Sequence, residues 1–166
     1  MTSRTLTVER STSTAHRLLH YDGVCGNVHG HNIEWQIEMI VRMDDTGEDN
    51  MPLDFKEVSD IIDLTDHAVL LNKEDPLVDV ALTYEDVDLA HDQSGHEYWQ
   101  GHLELLGEVI LFYGDPTCEL LTQWMAEKLV DLPQVLRADV IARETEKYGM
   151  YASATTWSHD EERDDS

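Results

Sequence analysis

The chain has 166 residues, of which 35 are acidic and 11 basic, for a net charge of −24 and a pI near 4.4. A surface of this sign repels a nucleic-acid backbone and an anionic membrane, which sets both aside as partners. No apolar run is long enough to span a bilayer or to form the core of a signal peptide, so the expectation is a soluble cytoplasmic protein with one domain.

Disorder does not explain the charge, because 41% of the residues are hydrophobic and they recur periodically. Concentrated salt does. At molar ionic strength the reach of a charge shrinks to about 3 Å, and a dense acidic surface becomes tolerable. The composition therefore reads as halophilic and says little about activity. The two cysteines, Cys25 and Cys118, can form at most one bridge, and free thiols are the better expectation inside a cell.

In chain order, residues 4–14 are Thr-rich and alternate as a strand does. Residues 17–30 hold Gly23, Gly26 and Gly30 and read as a loop. Residues 31–43 alternate cleanly, with Ile33, Trp35, Ile37 and Met39 on one face and Glu34, Gln36 and Glu38 on the other, the pattern of a strand with one wet face. Leu53 to Thr65 is helical in period, with Val58, Ile61 and Ile62 inward. Residues 74–101 suggest an acidic surface excursion, and 105–113 an extra strand. Asp115-Pro116 opens a second helix with the stripe Leu120, Leu121, Trp124, Met125 and Leu129. Residues 135–144 and 148–157 form a hairpin, and 158–166 a charged tail. The whole describes an α+β domain over residues 1–157 with an insertion at 74–113 and helices on one face of an antiparallel sheet.

His29-Gly30-His31 is the sharpest local feature. On an extended backbone residues two apart point the same way, so two imidazoles can grip one metal. His16, after the first strand, could supply a third ligand and leave the open position of a catalytic zinc site. A polar turn with a surface histidine has the same spacing, and the residues alone leave both readings open. Cys25, four residues before His29, is either a thiolate favoured by a nearby cation or a small apolar core residue. Asp66-His67 is a tuned acid–base pair or a helix-end histidine. Glu144 is a carboxylate able to take paired N–H groups or a solvated strand end. His91, His96 and His102 receive no role.

Taken in order, the pieces Ala15-His16-Arg17-Leu18, Cys25-x-x-x-His29-Gly30-His31, Leu53-Asp54-Phe55, Asp66-His67 with Leu71-Asn72, Pro116-Thr117-x-Glu119 and Glu144-Thr145 resemble the 6-pyruvoyl-tetrahydropterin synthase / 6-carboxytetrahydropterin synthase family from about residue 4 to 155. The resemblance implies a tunnelling fold: a four-stranded antiparallel sheet carrying two helices on one face, closed into a barrel by joining subunits, usually a hexamer built as two trimers. It implies Zn2+ on His16, His29 and His31, Cys25 as catalytic base, Asp66 and His67 as its proton-handling partners, and Glu144 with Thr117 at the substrate. The substrate it implies is 7,8-dihydroneopterin triphosphate. The Cys25–His29 spacing is similar to that of the 6-carboxytetrahydropterin branch, which releases acetaldehyde and feeds 7-deazaguanine (queuosine and archaeosine) synthesis. The chain departs from relatives at Ser11 and Ser13, in the spacing from Asp66-His67 to Leu71-Asn72, and in the long segment before Pro116. The rival expectations are a sister pterin lyase, a non-catalytic zinc-binding protein of the same fold and an unrelated three-histidine hydrolase.

Overall fold

Strict alternation builds the centre of the sheet. In β1 (Ser3–His16) Thr12, Thr14 and His16 are buried while Ser11 and Ser13 are exposed. In β2 (His29–Arg42) the odd-numbered residues Ile33 to Val41 are buried and Glu34 and Glu38 face water. The two strands pair antiparallel without a break, from Ser3 opposite Arg42 to His16 opposite His29. The structure is a computed structural model that describes residues 2–44, 50–83, 90–91 and 98–156. The charged tail expected at 158–166 lies outside the described residues, as do Trp157 and His96.

On one side of this hairpin β7 (Val135–Arg143) pairs with β2, with an irregularity between Ile40 and Val41, and β8 (Gly149–Thr155) pairs with β7. These are the four antiparallel strands expected. On the other side the sheet continues. β3 (Ala68–Asn72) runs parallel to β1, and β6 (Gly107–Phe112) runs parallel to β3. β5 (Tyr98–Leu103) and the two-residue β4 (Ala90–His91) complete an eight-stranded mixed sheet in the order β4-β5-β6-β3-β1-β2-β7-β8. The expected four-stranded, wholly antiparallel sheet is therefore corrected. The strand expected at 105–113 is β6, and within the excursion expected at 74–101 the described residues supply α2 (Pro76–Thr83), β4 and part of β5.

The helices also divide differently from the expectation. α1 (Phe55–Ile62) begins where the Asp54 carboxylate accepts the Lys56 N–H, and α3 (Cys118–Val130) where the Thr117 hydroxyl accepts the Leu120 N–H. Both cover the face that carries Ile33, Trp35, Ile37, Val140 and Leu70, and seal the main core with Val58, Ile62, Leu121, Met125 and Leu129. Each large apolar side chain taken fully out of water there contributes about 1.5–3 kcal/mol. Leu71, Val109 and Leu111 point the other way and pack with Val78 and Ala81 of α2 in a second, smaller core. So β3 and β6 are covered on both faces, and the helices are not confined to one.

Candidate metal centre

His16 ends β1 and His29 opens β2, and the register sets them directly opposite each other. His31 lies two residues further along β2, on the same face as Ile33 and Trp35. Gly30 is the residue between, and a Cβ there would stand 3.3 Å from the Thr14 carbonyl oxygen, so a side chain would press on β1. The three imidazole rings have centroid separations of 4.5, 5.2 and 4.9 Å. One nitrogen from each falls within 4.8 Å of the others.

Backbone carbonyls fix two of the rings. His16 Nδ1 lies 2.9 Å from the carbonyl oxygen of Pro116, and His29 Nδ1 lies 2.7 Å from that of Asn27. A carbonyl can only accept, so each Nδ1 carries the proton and each Nε2 presents a lone pair. The Nε2 atoms of His16 and His29 are both buried with no hydrogen-bond partner. Burial pushes the His16 imidazole below its ordinary pKa, and the two neighbouring histidines push it further. The Pro116 carbonyl and the charge of Glu144 act in the opposite sense. The unsatisfied Nε2 atoms of His16 and His29, with a His31 nitrogen within 4.8 Å, fit a divalent metal with nitrogen preference, and three imidazole ligands leave a position open.

Residues 5–154 match the 6-pyruvoyl tetrahydropterin synthase family. The chain belongs to that family. With the family goes the expected enzyme class, a lyase. Among curated relatives, a probable 6-carboxy-5,6,7,8-tetrahydropterin synthase of Halobacterium salinarum is 31% identical over 127 residues, covering 76% of this chain and 70% of the relative. The fold is similar to an uncharacterized protein from Wolinella succinogenes (TM-score 0.62, 17% identity, 95% of this chain and 100% of that one). It is also similar to the 6-pyruvoyl tetrahydropterin synthase of Caenorhabditis elegans (TM-score 0.53, 23% identity, 93% and 98%). No described helix is long and apolar enough to cross a membrane.

The other residues expected in the site fall in two groups. Cys25 lies in a single 3-10 turn, Val24–Gly26, within the loop that joins His16 to His29. Its carbonyl accepts the Leu18 N–H at 2.9 Å, which folds the loop back on itself, and its side chain is half-buried. Glu144 follows β7, and its charge reaches both His16 and Cys118. It also lines a groove of about 530 Å³ with Asn32, Gln36 and Arg143. Thr117 caps α3, next to the Pro116 carbonyl that holds His16.

Asp66 and His67 form the second group. His67 Nδ1 lies 2.9 Å from Asp66 Oδ2, and Asp66 Oδ1 accepts the Ser13 N–H at 2.8 Å. His67 adopts a φ of 57° and donates its own N–H to the Ser13 carbonyl. Among the described residues no hydrogen bond or ion pair joins this pair to Cys25 or to the three histidines. Arg17, the cation beside His16, is committed to Asp75. Its Nε stands 2.9 Å from Oδ2 of that fully buried carboxylate, in ion-pair range but misaligned for a hydrogen bond. The carbonyls of Pro116 and Asn27 have no side-chain signature and were not foreseeable from the residue types.

Proposed function

We propose that the chain is a zinc-dependent lyase that converts 7,8-dihydroneopterin triphosphate, with consumption of water, to 6-carboxy-5,6,7,8-tetrahydropterin, acetaldehyde and triphosphate. The observation that carries it is the inward-facing histidine triad in a chain of this family, and the halobacterial relative supports the 6-carboxy branch. His16, His29 and His31 would hold the zinc, which supplies Lewis-acid polarisation of the substrate's side-chain oxygens. Cys25 takes a carbon-bound proton from that side chain as its thiolate. Asp66 orients His67 through Nδ1, leaving Nε2 to carry the proton onward. Glu144 accepts paired N–H groups from the amino-pyrimidine edge of the pterin, and the Thr117 hydroxyl flanks it.

Asp66 and His67 are tied to Ser13, and in this reading they meet the Cys25 thiol of a second copy across an interface. A hexamer built as two trimers provides such interfaces. It also covers the ends of a sheet that terminates in β8 and β4. With Arg17 engaged by Asp75, the triphosphate relies on other cations and on salt screening. A cytoplasmic location and a place in 7-deazaguanine synthesis follow from the same reading.

The test is mass spectrometry of the products formed from dihydroneopterin triphosphate in molar KCl, with aldehyde trapping. The expected products are the carboxy pterin and acetaldehyde. A pyruvoyl pterin with triphosphate and no acetaldehyde would place the chain in the sister branch. Hydrolysis of simple esters with no turnover of the pterin would remove it from pterin chemistry.

A further inference from the structure

The Pro116 carbonyl that holds His16 is itself held. Pro116 is buried, and its ring fixes its own φ and restricts Asp115 to extended backbone. The Asp115 carboxylate is only 14% exposed and gathers three donors. Oδ2 accepts the His20 N–H at 2.8 Å. Oδ1 accepts Asn72 Nδ2 at 3.0 Å and lies 3.2 Å from His20 Nδ1. Asn72 is 2% exposed and is fixed in turn by the Glu74 N–H on its Oδ1 at 3.0 Å. Three segments thus meet on one carboxylate: the turn that follows His16, the end of β3, and the lead-in to α3. Hydrogen bonds from Asn72 and His20 hold the Asp115 carboxyl below its ordinary range despite its burial, so it is present as the anion that these donors require.

We infer that Asp115 is the positioning residue of the metal centre: by clamping His20 and Asn72 it locks the Pro116 carbonyl against His16 Nδ1 and so sets the affinity for the metal. The inference rests on the metal reading of the triad. Among the described residues no hydrogen bond or ion pair joins the Asp115 side chain to His16, His29 or His31. Asp115 acts through two covalent links, from its own backbone to Pro116 and from His20 back to His16. Removing an outer-shell partner of a ligating histidine typically weakens metal binding by about 10–100-fold.

The isosteric Asp115→Asn replaces one acceptor oxygen with a donor facing Asn72 or His20, and Asp115→Ala removes the clamp. Zinc affinity is measured by competition with a chromophoric chelator. The visible spectrum of the Co2+-substituted protein reads the coordination geometry, and the metal-free melting temperature reads the fold. The expected result is a loss of at least about tenfold in zinc affinity for Asp115→Asn with an altered Co2+ spectrum, while a Glu108→Gln control stays at wild type. Wild-type affinity and spectrum in Asp115→Asn would overturn the inference, and so would a lowered melting temperature with both metal readouts unchanged. Should Asp115→Ala fail to fold, Asp115→Asn carries the test alone. A wild-type chain that takes up no zinc would instead remove the metal reading itself, an outcome distinct from any difference between variants.

Discussion

His16 and His29 stand opposite each other across the β1–β2 ladder, with their unpartnered Nε2 atoms buried. That register brings the two ligands face to face, and the carbonyls of Asn27 and Pro116 then orient their rings. A slip of one residue would turn His29 and His31 to the solvent face along with Ile33 and Trp35, so the packing that buries Trp35 also aims the histidines.

The first prediction follows. The folded chain should bind about one zinc, because three neutral imidazoles with one open position have that stoichiometry. His31→Ala and His29→Ala should each lose the metal by elemental analysis. Free zinc at about 100 times the dissociation constant should stabilise the wild type by about 2.7 kcal/mol, and a chelator should reverse the gain. A metal-replete His31→Ala protein would remove the triad from consideration.

The two cysteines should behave differently. Burial, reinforced by the charge of Glu144, pushes the Cys118 thiol up to about 11, and its Sγ lies 3.7 Å from the Ala142 carbonyl oxygen. At neutral pH it offers almost no thiolate. Cys118→Ala should therefore keep both zinc and turnover, whereas Cys25→Ala should keep zinc and lose turnover. Normal turnover in Cys25→Ala would assign the base to another group.

The parts of this architecture that follow a single period were legible in the sequence. Alternation in residues 31–41 gave β2 its faces, and the same parity put His29 and His31 together. β6 was legible as the apolar run at 105–113, whereas β3 was harder for a physical reason. Strands covered on both faces lose their alternation, and AVLLN is too short for periodicity to tell strand from helix. The residues that aim the histidines were invisible for a different reason. Pro116 and Asn27 act through backbone carbonyls that every residue possesses, and Asp115 acts on atoms brought together only by the fold. Asp66 and His67 are adjacent in sequence, which made the pair visible, but their anchorage to Ser13 depends on the parallel pairing of β1 with β3.

Acid should weaken the protein partly through Asp66. The hydrogen bond from the Ser13 N–H holds its carboxyl below the ordinary value of 3.8, with His67 and Arg10 assisting and burial opposing. A carboxyl depressed on folding contributes stability that is fully present above its unfolded pKa and is lost as pH falls through the folded one. Denaturant midpoints measured from neutral pH down to about pH 3 should fall less steeply for Asp66→Asn than for the wild type, from a lower starting value. The side chain is 37% exposed, so solvent screening keeps the difference small. Parallel curves would show that Asp66 contributes nothing to the acid limb.

Salt should act on the whole surface. With a net charge of −24, self-repulsion opposes the compact state at low ionic strength and is screened as KCl rises. The melting temperature should climb from dilute buffer to molar KCl. A flat or falling curve would contradict the halophilic reading and leave the charge unexplained.

The last prediction concerns a buried chain of hydrogen bonds beneath the metal centre. Trp35 Nε1 donates to Thr12 Oγ1 at 2.9 Å, Thr12 and Thr65 share a bond at 3.0 Å, and Thr65 Oγ1 donates to the Ile62 carbonyl oxygen at 3.0 Å. Since the Thr65 proton goes to Ile62, Thr12 must donate to Thr65, and each hydroxyl both accepts and donates. The chain ties β2 to β1 and to the end of α1, with all three side chains out of water. Thr12→Val preserves shape but leaves the Trp35 N–H unpaired, which costs about 1–3 kcal/mol. For a chain of this size the melting temperature should fall by roughly 2–4 °C per kcal/mol. Trp35→Phe in the Thr12→Val background removes the stranded donor, so the double variant should be more stable than the two single losses added together. Simple additivity in urea denaturation would mean that packing volume, and not the hydrogen-bond chain, sets the cost at this site.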